Sequence, residues 1–291
     1  MSFVDFLGDL MNPNLSFLPR ALLVAVLSSV VCGVVGVHVV LRGLSFVGDA
    51  LAHSVFPGIA VAFALQGSIL LGGAVAGVIV AVLIALFSQN RRLREDSLIG
   101  IFFVAAFAIG LVIVSRTPGY TGSLESLLFG SLTGVTNTDI VLSAAVGAVV
   151  LAVLVVMHKQ IVLVSVDRDY ARANKIPVGF VDLVLYLVIA AAVVISVQSI
   201  GNILVLALLV APAATARMLT DRVVPMMLIG PLIGAISAFV GIWLSWAWDV
   251  PSGATIVIVA TIIFVFVWIF APKRGQVAGA INASRKERVA S

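Results

Sequence analysis

The chain has 291 residues, of which 62% are hydrophobic and only 10% charged, with a mean hydropathy of +1.24. Soluble globular domains usually carry about 25% charged residues, so a water-soluble fold is excluded and lipid is the expected solvent. Val, Ala, Leu, Ile and Gly outnumber Trp, Tyr and Cys, a composition for closely packed helices rather than for the alternating strands of an outer-membrane barrel.

The expected fold class is therefore all-α, a polytopic transmembrane helical bundle. At the start, residues 3–11 (FVDFLGDLM) predict a short amphipathic helix at the membrane interface, with Phe3, Phe6, Leu7 and Leu10 on one face. Residues 1–17 contain Asp5 and Asp9 but no basic start and no small-residue cleavage site, so no secretory signal is expected.

A spanning helix needs about 20 predominantly apolar residues, and that length finds nine candidates. They lie at roughly 18–41, 45–65, 67–88, 97–115, 139–157, 181–199, 203–219, 224–247 and 254–271. The second holds Asp49 and His53, and the seventh holds Pro212 and ends in Thr215 and Arg217, so these two are the weakest and eight spans is the alternative count. Nine spans with the N-terminus outside put Arg42, Arg91, Arg92, Arg94, Lys159, Arg168, Arg172, Lys175, Arg217, Arg222, Lys273, Arg274, Arg285, Lys286 and Arg288 on one side. That leaves only Arg20 and Arg116 of the seventeen basic residues on the other. By the positive-inside rule the basic side, with the C-terminus, is cytoplasmic. Residues 1–272 are thus expected to form one transmembrane domain, with 159–180 projecting into the cytoplasm and 273–291 as a basic tail.

Gly73 and Gly77 in the third span, and Gly230 and Gly234 in the eighth, have the spacing that lets helices approach closely. Cys32 is the only cysteine, which rules out a disulfide framework and predicts a small buried side chain. His38 and His158, near the ends of their spans, read as structural.

Among the thirteen acidic residues, Asp49 is the one placed well inside an apolar segment. An unpaired carboxylate there costs at least about 2.5–3.5 kcal/mol on insertion scales. His53 follows at i+4, on the same helix face one turn on. Such a pair can bind a divalent cation or share a proton. One chain offers two ligands where a transition metal takes four to six, so a homodimer with this helix on its two-fold axis would complete the set. Nitrogen and oxygen donors without sulfur suit manganese, zinc or iron(II). Pro57, four residues after His53, removes the donor that the His53 carbonyl would normally find and marks a hinge.

No GxxxxGK[ST] phosphate loop is present in the chain, so ATP hydrolysis is not expected of it. In VDRDYARANKIPVG, Asp167 is placed to cap a short helix closed off before Pro177.

Residues 41–63 (LRGLSFVGDALAHSVFPGIAVAF) resemble the permease subunits of the manganese/zinc/iron family of ATP-binding-cassette importers. The segments at 97–115, 124–135 (LESLLFGSLTGV), 198–219 and 251–275 resemble that family in the same order, covering nearly the whole chain. The resemblance implies that Asp49 and His53, matching the family's intramembrane Asp-x-x-x-His, are the transport-site ligands of a homodimer in the plasma membrane. It also implies that the segment with Asp167, Arg168, Asp169, Arg172, Lys175 and Pro177 docks into cytoplasmic ATP-binding subunits. An extracytoplasmic metal-binding protein would deliver the ion to an outer face carrying Asp5, Asp9, Glu125, Asp139 and Asp249, with Glu125 a candidate for the docking surface. The cargo implied is Mn2+ or Zn2+, with Fe2+ a third candidate, and no permanently bound cofactor or nucleic acid is implied. Pro57 and the APKRG ending at 271–275 lean towards the manganese branch. Lys175 departs from the family, which usually has glycine before the hydrophobic-Pro pair. The rival readings are a proton-coupled secondary transporter using Asp49 and His53, and an importer of metal chelates such as siderophores.

Overall fold

The computed structural model of the protein describes residues 3–44, 46–89, 95–116 and 134–271. Its elements are helices: α1 (Phe3–Leu10), α2 (Phe17–Arg42), α3 (Val47–Ser54), α4 (Phe56–Ala64), α5 (Ile69–Phe87), α6 (Glu95–Arg116) and α7 (Asn137–Val156). They continue with α8 (His158–Val166), α9 (Arg168–Ala173), α10 (Val178–Ile200), α11 (Asn202–Leu219), α12 (Val223–Trp248) and α13 (Ser252–Phe270). No strand occurs among the described residues. The basic tail 273–291, Glu125 and the 90–94 arginine cluster lie outside them.

Eight stretches are long and apolar enough to cross a membrane, and α11 is a shorter apolar helix over Leu204–Leu219. Packing decides whether α11 crosses. Arg42 meets Asp182 while Cys32 meets Ser196, so α10 runs antiparallel to α2. Gly33 abuts Pro231 while Gly234 abuts Ser29, so α12 does too. Since α10 and α12 point the same way, α11 between them must return across the bundle. It does so parallel to α2, with Gly36 against Leu209 and Arg217 donating to the Val40 carbonyl at 2.8 Å. Among the described residues eight stretches thus have spanning length, and α11, running parallel to α2, is the ninth segment of the longer expected count.

The second pass is broken into two helices. It covers Val47–Ala64 and is interrupted at Val55, whose φ of −76° and ψ of −18° stay helical. Pro57 at the start of α4 has no N–H for the His53 carbonyl, so the ladder lapses there.

In lipid, helices associate by close contact rather than by hiding apolar surface, and the crossings depend on small residues. A Cβ on Gly36 would collide with the Leu209 carbonyl, where α2 meets α11. Gly58 and Gly72 face each other in the same way where α4 meets α5, so the tightest point of that pair falls one residue before the predicted Gly73. Gly230 and Gly234 do mark the α2–α12 crossing, their Cβ positions 3.4 Å and 3.2 Å from the carbonyls of Gly33 and Ser29. Helices α2 and α10 are the most buried long spans, whereas α6 and α7 show most of their surface. The amphipathic α1 lies against α12, its Phe3 and Phe6 rings edge-on to Phe239 and Trp243, with Phe6 fully buried and Leu7 exposed.

The two ends of the bundle differ in charge. One collects Arg42, Arg168, Asp182 and Arg217. At the other, Asp9 accepts a 2.9 Å hydrogen bond from Trp246 Nε1, and Asp249 ends α12 in a left-handed conformation with φ 52°.

Candidate functional site

Asp49 lies in the first turn of α3, where the helix dipole favours an anion, and His53 lies in its last turn. Their spacing turns both side chains to one face and brings His53 Nε2 to 3.5 Å from Asp49 Oδ1. Metal–ligand bonds of about 2.0–2.2 Å hold adjacent donors roughly 3.0–3.5 Å apart, so one ion can bridge this pair. Neither group is sealed in: the side chain of Asp49 is 33% exposed and that of His53 19%. Around them α3 offers buried Val47, Ala50, Leu51 and Ala52, and the absent side chain of Gly48 makes room for Leu209. The imidazole is flanked by two rings of α6, Phe103 at 5.3 Å and Phe107 at 5.4 Å. This apolar wall fixes the ring plane and leaves the Asp49 side as its polar aspect.

Among the described residues, no three His, Cys, Asp or Glu side chains gather as a metal-binding group. Within one chain the pair thus offers two donors. His38 and His158 are elsewhere, edge-on to each other at 6.1 Å, with His38 fully buried between α2 and its neighbours. Cys32 is buried as well, its Sγ 3.6 Å from Ser196 Oγ.

The 159–180 stretch is structured rather than a loop. After α8, Asp167 takes extended dihedrals and its carboxylate accepts from the amides of Asp169 (2.9 Å) and Tyr170 (2.8 Å), capping α9. Arg172 pairs with Asp169 at 3.3 Å on the exposed face. The helix closes with the Lys175 amide bonded to the Arg172 carbonyl (2.9 Å) and the Ile176 amide to that of Ala171 (3.1 Å). Lys175 stands at φ +57°, in the left-handed turn that glycine adopts most readily. So the departure noted in the sequence changes the residue and keeps the turn. Pro177 then leads into α10.

Of the charged residues in this arm, Arg168 turns inward. Its Nη2 lies 3.1 Å from Asp182 Oδ2, and the other carboxylate oxygen of Asp182 accepts from Arg42 Nη1. Arg42 Nε also donates to Ser165 Oγ at 3.0 Å. Asp182 is fully buried, so Asp49 is not alone among the acidic residues in being withdrawn from water. Sequence reasoning missed it because Asp182 sits second in its predicted span, where a carboxylate is expected to reach the interface. Nothing in the spacing of 42, 168 and 182 announces a contact. Two arginines, one ending a predicted span and one in the arm, were the available signal.

Comparison with known proteins bears on this arrangement. Residues 14–271 match the model of the ABC 3 transport family. The chain is 39% identical over 275 residues to the manganese transport system membrane protein MntC of Halalkalibacterium halodurans, covering 94% of each chain. It is 33% identical to the chelated iron transport system membrane protein YfeC of Yersinia pestis, covering 94% of this chain and 93% of that one. Among solved structures it resembles PsaBC from Streptococcus pneumoniae in complex with Fab, with a TM-score of 0.82 and 31% identity over 94% of this chain and 98% of the other. The apolar passes, their order and this match agree, and this multi-pass membrane protein belongs to the ABC 3 transport family.

Proposed function

We propose that the chain is the membrane-spanning subunit of an ATP-driven importer of divalent transition-metal ions, manganese first and zinc next, in the plasma membrane. The observation that carries this reading is the Asp49–His53 pair, two oxygen and nitrogen donors at bridging distance, partly open, and short of a full coordination set by at least two. A second copy of the chain, related by a two-fold axis along the exposed side of α3, would supply the missing donors. Relatives named for manganese and for iron transport support metal as cargo, and the 39% identity to a manganese system favours that ion.

The reading assigns ATP hydrolysis to separate cytoplasmic subunits and delivery of the ion to an extracytoplasmic binding protein. The arm from Asp167 to Pro177, capped and closed as a unit, is the surface for the ATP-binding subunits, which places the N-terminus outside and the C-terminus in the cytoplasm. Movement of the arm would open the site alternately to the two sides, with the break at Val55–Pro57 as the point that yields.

The test is elemental analysis of metal accumulated by cells that express the chain with its ATP-binding subunits. Asp49→Asn and His53→Ala are each expected to reduce manganese uptake at least about tenfold, as loss of a metal ligand should, while protein level stays unchanged. The name of the Yersinia relative keeps one alternative in view, uptake of a metal chelate, which needs no protein ligand to the ion. Undiminished uptake in both variants would select it and reject the ion site.

A further inference from the structure

We propose that Asp182 is a positioning residue that ties the arm to the metal-bearing helix, so that the Arg168–Asp182–Arg42 cluster carries movement of α9 to Asp49 and His53. The inference rests on the reading that the arm meets ATP-binding subunits. Its basis is a buried carboxylate shared by guanidinium groups from two separate elements. Arg42 is the last residue of α2 and its side chain is 4% exposed, whereas Arg168 is the first residue of α9 and 31% exposed. A carboxylate as buried as Asp182 requires compensation; its Oδ1 accepts a hydrogen bond from Arg42, while Oδ2 has the Arg168 guanidinium at ion-pair distance and no hydrogen bond.

The two links differ in kind. Arg42 is enclosed and further held through Ser165 Oγ, at the end of α8. Arg168 reaches in from the surface, on a helix of only six residues that makes few contacts beyond α8 and α10. Arg42–Asp182 is the fixed half of the cluster and Arg168–Asp182 the half that can be made and released.

From Arg42 the path to Asp49 and His53 is short. Gly43, at φ +71°, ends α2 with its amide on the Val40 carbonyl (3.2 Å), and the Leu44 amide returns to Val39 (3.0 Å). Leu44 is buried and its carbonyl accepts from the Val47 amide at 3.0 Å, so α3 starts directly on the end of α2. Asp49 is in the first turn that follows. Moving the Arg42 end of α2 therefore bears on the base of α3 through the Leu44–Val47 contact.

Asp182→Asn would leave two guanidinium groups around a neutral side chain, and a failure to fold would be uninformative. The informative variant is Arg168→Gln, which keeps the enclosed Arg42–Asp182 pair. Wild-type and variant chains, each assembled with the ATP-binding subunits in liposomes, are assayed for ATP hydrolysis and for manganese uptake in the same vesicles. The expected result is uptake per ATP hydrolysed reduced about tenfold, inside the 5–150-fold range of ordinary coupling energies, over and above any change in assembly or hydrolysis that the place of Arg168 in the docking arm brings. Arg168→Lys, which can still pair with Asp182, should recover part of the loss. Uptake per ATP unchanged in Arg168→Gln overturns the proposal while leaving the importer reading intact. A fall that merely tracks lost assembly or lost thermal stability also overturns it, because docking or folding then accounts for Arg168. Wild-type chain that binds no ATP-binding subunit and carries no metal removes the importer reading and this inference with it.

Discussion

Gly110 of α6 lies against the ring of Phe56, the residue that follows the break in the second pass, and a Cβ on Gly110 would strike that ring. Phe56 is fully buried and 5.7 Å from Phe107, which in turn is edge-on to His53 at 5.4 Å. Gly110→Ala should push along this row of rings, destabilising the protein by about 1–3 kcal/mol as overpacking does and reducing metal uptake more than the drop in protein level explains. Uptake normalised to folded protein, measured by fluorescence-detected size exclusion, checks it.

Pro57→Ala should restore a donor to the His53 carbonyl and close the break in the helix. The variant is expected to melt no lower than wild type and yet to transport several-fold more slowly. Equal transport with an equal melting temperature would remove Pro57 from the mechanism.

If the ion is shared across a two-fold axis, purified protein should bind one Mn2+ per two chains, and Asp49→Asn should abolish that binding. Equilibrium dialysis with metal analysis gives the ratio. One ion per chain would speak against a shared site.

Gly36→Val should prevent α2 from reaching α11, since even the first added carbon meets the Leu209 carbonyl, a backbone atom that cannot rotate away. A loss of at least about 3 kcal/mol is expected, at the upper end for overpacked sites, seen as failure to recover monodisperse protein. Gly8, whose added Cβ meets nothing within 4 Å, provides the control as Gly8→Ala.

Lys175→Gly should stabilise. A non-glycine residue in a left-handed turn carries about 1–3 kcal/mol of strain, partly offset by the greater freedom glycine has when unfolded. The net gain expected is about 0.5–1 kcal/mol, and hydrogen exchange at the Ile176 amide, which closes the turn, should slow.

The passes were legible because each is a long apolar run, and the contact between Asp49 and His53 was legible because one turn of helix separates them. Local signals also reached the Asp167 cap, the break before Pro57 and the unusual Lys175. What the sequence did not convey was tertiary. Asp182 looked like an interfacial residue because hydropathy measures a residue's own segment, whereas its burial is created by Arg42 and Arg168 from distant parts of the chain. The seventh segment looked weak for its Pro212 and charged end, and it is the directions of α10 and α12 that set it parallel to α2. The offset from Gly73 to Gly72 arises because the tightest point depends on how α5 is rotated against α4, which spacing within α5 alone does not specify.

An odd number of crossings carries a practical corollary. If all nine segments cross, Asp9 and Phe270 fall at opposite faces of the bilayer, and reporters fused near each should answer from different compartments. A phosphatase active outside and a fluorescent protein that matures only inside would give complementary signals from the two fusions, whichever face proves to be cytoplasmic.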